Sequence, residues 1–316
     1  MKVSILLPVY NAESTIRETI DSILNQTYTD FDVVIINDGS SDNSEQTILE
    51  YKDERIHYYK NESNRGLIYT LNRGIELCKG EYIARIDADD IMLPTRLEEQ
   101  IKFMEEHPAI IASGSAVIKF FPNGKQKIYT PPLKPETIKY KILLGSPIPH
   151  PSAIIRREIL LKHNIKYDTN YIHAEDYKFW YDLSKIGLLA NVQKPLLMYR
   201  CSTEQVSQKY KDIQNQTSCK VKELILRDFL KGVKIPVTID INYIKNVSNK
   251  LKNDRTNSTI LFLLLMSQKN YNFQSFWGFM QSLIYIRKGF NWKLLSAVLW
   301  KYLNHKTLNQ FNIRQE

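Results

Sequence analysis

Three carboxylates fall within four residues at Asp87-Ala88-Asp89-Asp90, directly after the apolar run Ile83–Ile86, which only Arg85 interrupts with a charge. Acids packed that closely repel one another unless a cation sits among them. A hard divalent ion bound to a phosphate-bearing substrate would relieve the repulsion, because such ions take oxygen ligands. A solvated turn at a strand end is the competing reading of the same four residues. Asp38 and Asp42 flank Gly39-Ser40-Ser41. A carboxylate there can accept hydrogen bonds from a nucleobase N–H or from ribose hydroxyls, and Gly39 allows close backbone approach. Alone, that sequence equally describes an Asx turn. Asn64-Arg65-Gly66 offers a guanidinium for phosphate or for a carboxylate, just before a helix start that favours anions. Glu175-Asp176 opens another helical pattern, where Asp176 suits a general base. Acids also simply favour first helical turns. Tyr177, Phe179 and Trp180 read as packing residues, with Trp180 able to stack on a sugar. His150, after a proline-rich approach, could contact a diphosphate or an acceptor.

The elements that must position these residues follow from hydropathy. Val3–Val9 is a continuous β-rich run of the kind buried on both faces of a parallel sheet. Asn11 is expected to cap the next helix with Glu13 in its first turn, and Ile16, Ile20, Ile23 and Leu24 supply its apolar stripe. Strands are expected at Phe31–Ile36, Ile56–Tyr59 and Tyr82–Ile86. Helices are expected from Leu67 to about Cys78, stopped at Gly80, and from Pro94 at a first helical position. This βαβα order predicts a mostly parallel sheet with helices on both faces. In such sheets ligands gather at the carboxyl ends of the strands, so the polar clusters after Val9, Ile36 and Ile86 should share one crevice. Beyond Phe120 the pattern loosens around several prolines. Helical spacing returns at Glu175–Ile186, and Leu188–Tyr199 reads as two short strands about a turn at Pro195.

The motifs Pro8-Val9-Tyr10-Asn11, Asp38-Gly39-Ser40, Asn64-Arg65-Gly66, Asp87-Ala88-Asp89-Asp90 and Glu175-Asp176-Tyr177 stand in an order and spacing that resembles bacterial family 2 glycosyltransferases. Pro195–Arg200 followed by Gln205-Val206-Ser207 looks like the end of such a domain. The resemblance covers about residues 1–207. It implies an inverting enzyme with the GT-A fold, two fused Rossmann-like halves at about 1–112 and 113–207, while the residue pattern beyond reads as a helical region over 208–316, a membrane-surface or oligomerisation element. It further implies that Pro8, Tyr10 and Glu13 line a nucleotide pocket with Asn64 and Arg65 nearby, that Asp38 reads the base, and that Asp87 and Ala88 hold the ribose region. Asp89 would bind Mn2+ or Mg2+ at the diphosphate, Asp90 would support that site or face the donor sugar, and Asp176, aided by Glu175, would deprotonate the acceptor. Many relatives carry a histidine where this chain has Ser202. Water, His150 or His173 would then complete the metal sphere, since the neighbouring Cys201 is a poor partner for a hard ion.

Composition bounds the rest. A chain of 316 residues, 43% hydrophobic and 24% charged, suits one large α/β domain with an appendage. Its three cysteines are scattered, with no CxxC pair, which fits a reducing cytosol. No apolar run approaches the ~20 residues of a spanning helix, and the N-terminus is too quickly interrupted for a signal peptide. From Lys209 onward 18 basic residues face 6 acidic ones, a net +12, while the preceding residues net −3. In that tail Trp277, Phe279, Tyr285, Phe290, Trp292, Trp300 and Tyr302 alternate with Arg287, Lys288, Lys293 and Lys301. A helical subdomain with a solvated basic face accounts for this, and so does a surface for anionic lipid. No nucleic-acid motif accompanies the charge. The resemblance implies a nucleotide diphosphate sugar and a glycan or lipid-linked glycan acceptor as partners, and the basic tail adds the inner face of the cytoplasmic membrane. A sugar-nucleotide nucleotidyltransferase would want a Gly-rich, basic loop after the first strand, which Pro8–Glu13 lacks. A non-catalytic glycan-binding module would not need both Asp89 and Asp176.

Overall fold

Six apolar residues and one serine put β1 (Val3–Val9) inside the sheet, with every residue buried. The computed structural model describes residues 1–142, 145–202 and 210–229. β1 pairs in parallel with β2 (Phe31–Asn37) on one side and with β4 (Tyr82–Arg85) on the other, and β2 pairs with β3 (Ile56–Lys60). Right-handed crossovers need helices between parallel strands. Here they are α1 (Ile16–Leu24), α2 (Ser44–Leu49) and α3 (Leu67–Leu77). One face of these strands (Val3, Ile5, Leu7 and Val9 of β1, with Phe31, Val33 and Ile35 of β2) packs in a single core with Ile16, Ile20 and Ile23 of α1, and the opposite face is buried as well.

The second half adds mixed pairing. β8 (Ile154–Arg156) runs antiparallel to β4 and to β6 (Ile110–Phe120), and β6 runs parallel to β9 (Leu188–Arg200). The two-residue β5 (Ile91–Met92) closes the edge against β9, and β7 (Gln126–Tyr129) forms a hairpin with β6. The strand order is β3-β2-β1-β4-β8-β6-β9-β5. α4 (Arg96–Glu106), α5 (Pro135–Lys141), α6 (Arg157–Lys162) and α7 (Glu175–Ser184) complete this half.

Several local expectations shift. Neither Asn11 nor Glu13 begins α1, whose cap is Thr15. Asn11 instead sits at φ +47 and accepts the Ser41 N–H through Oδ1 at 2.9 Å. Pro94 precedes the α4 cap, Thr95, and its carbonyl takes the Thr27 N–H at 2.9 Å. Pro195 does not break β9 in two. The strand stays continuous through a bulge, because β6 skips register between Ser115 and Ala116 to admit Gln193 and Lys194. Gly80 lies beyond the end of α3, and its missing Cβ lets the chain pass Ser4 of β1.

One compact unit spans Met1–Ile225, so most of α8 (Lys211–Phe229) belongs with the sheet. Thr217, Val221 and Ile225 are the residues it buries. The expected helices of the aromatic and basic tail from 230 lie outside the described residues. Among the described residues no helix is long and apolar enough to cross a membrane.

Candidate active site

The carboxylate cluster sits where β4 ends, between the two halves of the sheet. Carboxylate oxygens of Asp87, Asp89 and Asp90 all lie within 4.8 Å of one another. Much of the repulsion is met by buried arginines. Arg85, 3% exposed, forks both carboxylate oxygens of Asp87, one of them at 2.6 Å. Arg96, fully buried, donates to the carbonyls of Arg85 at 2.7 Å and Ala153 at 3.3 Å. Burial pulls its pKa down to about 9, with Asp90 pulling the other way. Asp90 itself is fully buried and receives the Arg200 N–H at 2.9 Å through Oδ1, while Oδ2 has no hydrogen-bond partner. Burial, then Asp87 and Asp89, hold its proton affinity well above the ordinary carboxylate range.

The turn is held from outside by three residues, of which Thr15 donates to the Ala88 carbonyl at 2.9 Å. Thr19 of α1 donates to the Ala88 and Asp90 carbonyls at 3.0 and 2.9 Å. Arg200 at the end of β9 donates to the Asp89 carbonyl at 2.8 Å and to Glu18 at 2.5 Å.

On the first side of this cluster the loops after β1 and β2 are stitched to each other. Asn11 N–H donates to Ser40, Ala12 N–H to Ser44, and Glu13 N–H to Asp42, at 3.0, 2.8 and 3.0 Å. Glu13 Oε2 in turn accepts the Asn43 N–H at 2.9 Å. Pro8 is buried in β1, and Tyr10 is 49% exposed just past it. Asp38 is nearly buried, and its carboxylate accepts Asn61 Nδ2 at 2.6 Å and the Arg65 and Gly66 N–H groups at 2.9 and 2.8 Å. It therefore anchors the Asn64–Gly66 loop and the start of α3. Arg65 is exposed and lies over the Tyr69 ring, 4.4 Å from its centre.

The other side is the start of α7. Glu175 is largely buried, its Oε2 unpartnered, and burial followed by the adjacent Asp176 pushes its pKa up to about 7. Burial raises Asp176 as well, while the Ser146 hydroxyl and the Tyr177 N–H hold it down. His150 Nε2 shares a hydrogen bond of 2.8 Å with the Tyr167 hydroxyl, and burial and Arg85 hold the imidazole neutral. Arg85 is felt by Asp90 on one side and by His150, Tyr167, Glu175 and Asp176 on the other. The electrostatic influence of one buried cation thus reaches two motifs nearly ninety residues apart in sequence.

Two expectations do not survive burial. Trp180 is 0% exposed, set edge-on against His150 and Phe179, so it packs the wall and has no face for a sugar. No histidine joins the aspartates as a ligand-spaced group among the described residues, and His150 is committed to Tyr167. The residues that sequence reasoning passed over are Arg85, Arg96, Thr19 and Tyr167. Arg85 carried a signal, a lone cation in an apolar strand followed at once by acids. The others carried none, because their partners are remote in sequence.

A divalent cation fits the cluster. The donors are all hard oxygens, Asp90 Oδ2 is a buried acceptor without a donor, and Asp89 is partly exposed. Asp89 would hold the ion, with Asp90 and Asp87 beside it.

This architecture is the GT-A fold of nucleotide-sugar glycosyltransferases. The solved structure of Staphylococcus aureus TarS 1–349 in complex with UDP matches at a TM-score of 0.56 with 19% identity, covering 82% of this chain and 83% of that one. The Pyrobaculum calidifontis mannosyltransferase PcManGT, solved with GDP-Man and Mn2+, matches at 0.54 with 15% identity over 99% and 88% of the two chains. Residues 4–163 match the model of glycosyl transferase family 2. An uncharacterized glycosyltransferase of Haemophilus influenzae is 34% identical over 88% of this chain and 90% of its own length. The Escherichia coli UDP-Glc:alpha-D-GlcNAc-diphosphoundecaprenol beta-1,3-glucosyltransferase WfgD is 30% identical, covering 77% and 92%. The chain belongs to glycosyl transferase family 2, and it is a glycosyltransferase.

Proposed function

We propose that this enzyme transfers a sugar, with inversion, from a nucleoside diphosphate donor, UDP-linked, to a hydroxyl of a bacterial surface-glycan acceptor, lipid-linked as in the E. coli relative. The observation that supports the reading is that Arg85, which forks Asp87, also lies within electrostatic reach of the Glu175-Asp176 pair. Donor phosphates belong at the first and the acceptor hydroxyl at the second. Asp176 takes the acceptor proton. The acceptor oxygen bonds to the anomeric carbon as the bond from that carbon to the diphosphate oxygen breaks, and the electron pair leaves with the nucleoside diphosphate. Attack opposite the leaving group inverts the anomeric centre. Mn2+ or Mg2+ held by Asp89 would offset the charge on the departing diphosphate. Tyr10 and Arg65 flank the nucleotide side, and Asp38 keeps that side shaped by fixing the Asn64–Gly66 loop.

The test is turnover across a panel of nucleotide sugars, with Asp176→Asn as comparison. Transfer should fall by about a hundred-fold or more, with the donor KM within about two-fold of wild type, since a general base acts in the transition state. Retained transfer would remove Asp176 from the role of base. For the whole chain we propose a peripheral position at the inner face of the cytoplasmic membrane, drawing on the net +12 of the stretch from Lys209 onward.

A further inference from the structure

Beside Asp176 opens a cleft of about 290 Å3, close to the smallest of the ligand pockets that proteins use (~300 Å3). One wall carries Ser146, His173 and Asp176, and the facing wall carries Gln214, Ser218 and Lys222 of α8. The facing wall lies beyond the segment matched by the family model, which ends at residue 163.

The spacing explains why α8 can serve as a wall. Gln214, Ser218 and Lys222 are four residues apart and form one stripe along the helix. The neighbouring stripe, Thr217, Val221 and Ile225, is buried and fixes the helix to the unit. Gln214 Nε2 donates to the His173 carbonyl at 2.9 Å, and the His173 ring stacks on Tyr210 with centroids 4.5 Å apart. The helix is thereby tied to the turn that leads into α7 and Asp176. Lys222 is half-buried, and among the described residues it is the one lysine or arginine that lines the cleft, where burial lowers the proton affinity of the His173 imidazole. It lies two helical turns from Gln214, about 12 Å at ~1.5 Å per residue.

We infer that the α8 stripe Gln214–Ser218–Lys222 determines acceptor specificity, and that it selects an acceptor sugar bearing a phosphate or diphosphate. The inference rests on Asp176 being the base of the proposed transfer. Gln214 and Ser218 offer neutral hydrogen-bonding groups to sugar hydroxyls. Lys222 offers a compact ammonium, which binds phosphate as a point charge. The acceptor hydroxyl and the acceptor phosphate then meet groups of opposite charge on opposite walls, which fixes which hydroxyl reaches the carboxylate.

The experiment uses the full chain, its active nucleotide sugar, and two sets of synthetic acceptors. One set is short-chain alkyl diphosphates of several hexoses and N-acetylhexosamines, and the other is the matching uncharged alkyl glycosides. Wild type should glycosylate a member of the diphosphate set. Lys222→Gln should raise KM for that member about ten-fold, the loss expected of one charge-assisted hydrogen bond, with the KM for its uncharged counterpart and for the donor unmoved. Lys222→Arg should restore part of the loss. Equal KM values in Lys222→Gln and wild type would overturn the inference, as would an equal rise for charged and uncharged acceptors. A wild type that hydrolyses its donor but glycosylates no diphosphate overturns it too. If wild type hydrolyses and transfers no nucleotide sugar at all, the underlying glycosyl-transfer reading fails instead.

Discussion

At the residue scale, the site depends on where charge is placed out of water. Asp87 is paired by Arg85, Asp90 is buried beside Arg96 and Arg200, and Asp89 is left partly exposed as the carboxylate best placed for a cation. Asp89→Ala should abolish the Mn2+-dependent part of UDP binding in calorimetry, and unchanged affinity would dismiss the assignment. Glu175 gives a prediction in pH. Its carboxyl titrates near 4.5 in the unfolded chain and about 7 in the folded one. Between those values the folded state holds more protons, so this group makes stability fall as pH rises. Glu175→Gln removes that term. Its Tm relative to wild type should therefore be higher at pH 8 than at pH 4, and a difference independent of pH would show that Glu175 does not titrate in this range.

At the element scale, the loops after β1, β2 and β4 hold the geometry, and each is braced by another element. Gly39 lies at φ +69, and a Cβ there would sit 2.6 Å from the Ser63 carbonyl carbon, so the loop after β2 can meet the Asn64–Gly66 loop only without a side chain. Gly39→Ala should cost about 1–3 kcal/mol in urea unfolding and loosen nucleotide binding, while an unchanged midpoint would deny the close approach. Arg96 braces the end of β4 from α4. Arg96→Ala takes a donor from the Arg85 carbonyl, leaves the Ala153 carbonyl with the Arg85 N–H, and removes one of the cations near Asp90. A loss of about 3 kcal/mol or more follows for a broken buried charge network, read as a lowered Tm. Much of this scale was legible beforehand. β1, β2 and β4 follow from apolar runs, and α3 and α7 begin within a residue of their expected starts. The cap of α1 was not, because Asn11 and Glu13 bond to the neighbouring loop at Ser41 and Asn43 rather than to their own helix.

At the scale of the whole molecule, the acidic-to-neutral front and the strongly basic stretch from Lys209 divide the chain by charge. Flotation of the full chain should show recovery with vesicles containing anionic lipid, decreasing as salt rises. Equal recovery with neutral vesicles, or none with either, would sink the electrostatic attachment. The sequence by itself determined the family, the parallel first half and the positions of the acidic clusters, because those follow from short runs of residue type whose physics is local. The opening cluster Asp87–Asp90 announced itself in that way. Only the tertiary structure decided how its charge is shared. Arg85, Arg96 and Arg200 come from three different elements, and no local pattern tells a chain which buried cation will meet which acid. The same reason hid the burial of Trp180, the commitment of His150 to Tyr167 and the approach of α8 to Asp176. Each is a contact between segments far apart in sequence, set by how the sheet curls and not by the residues alongside.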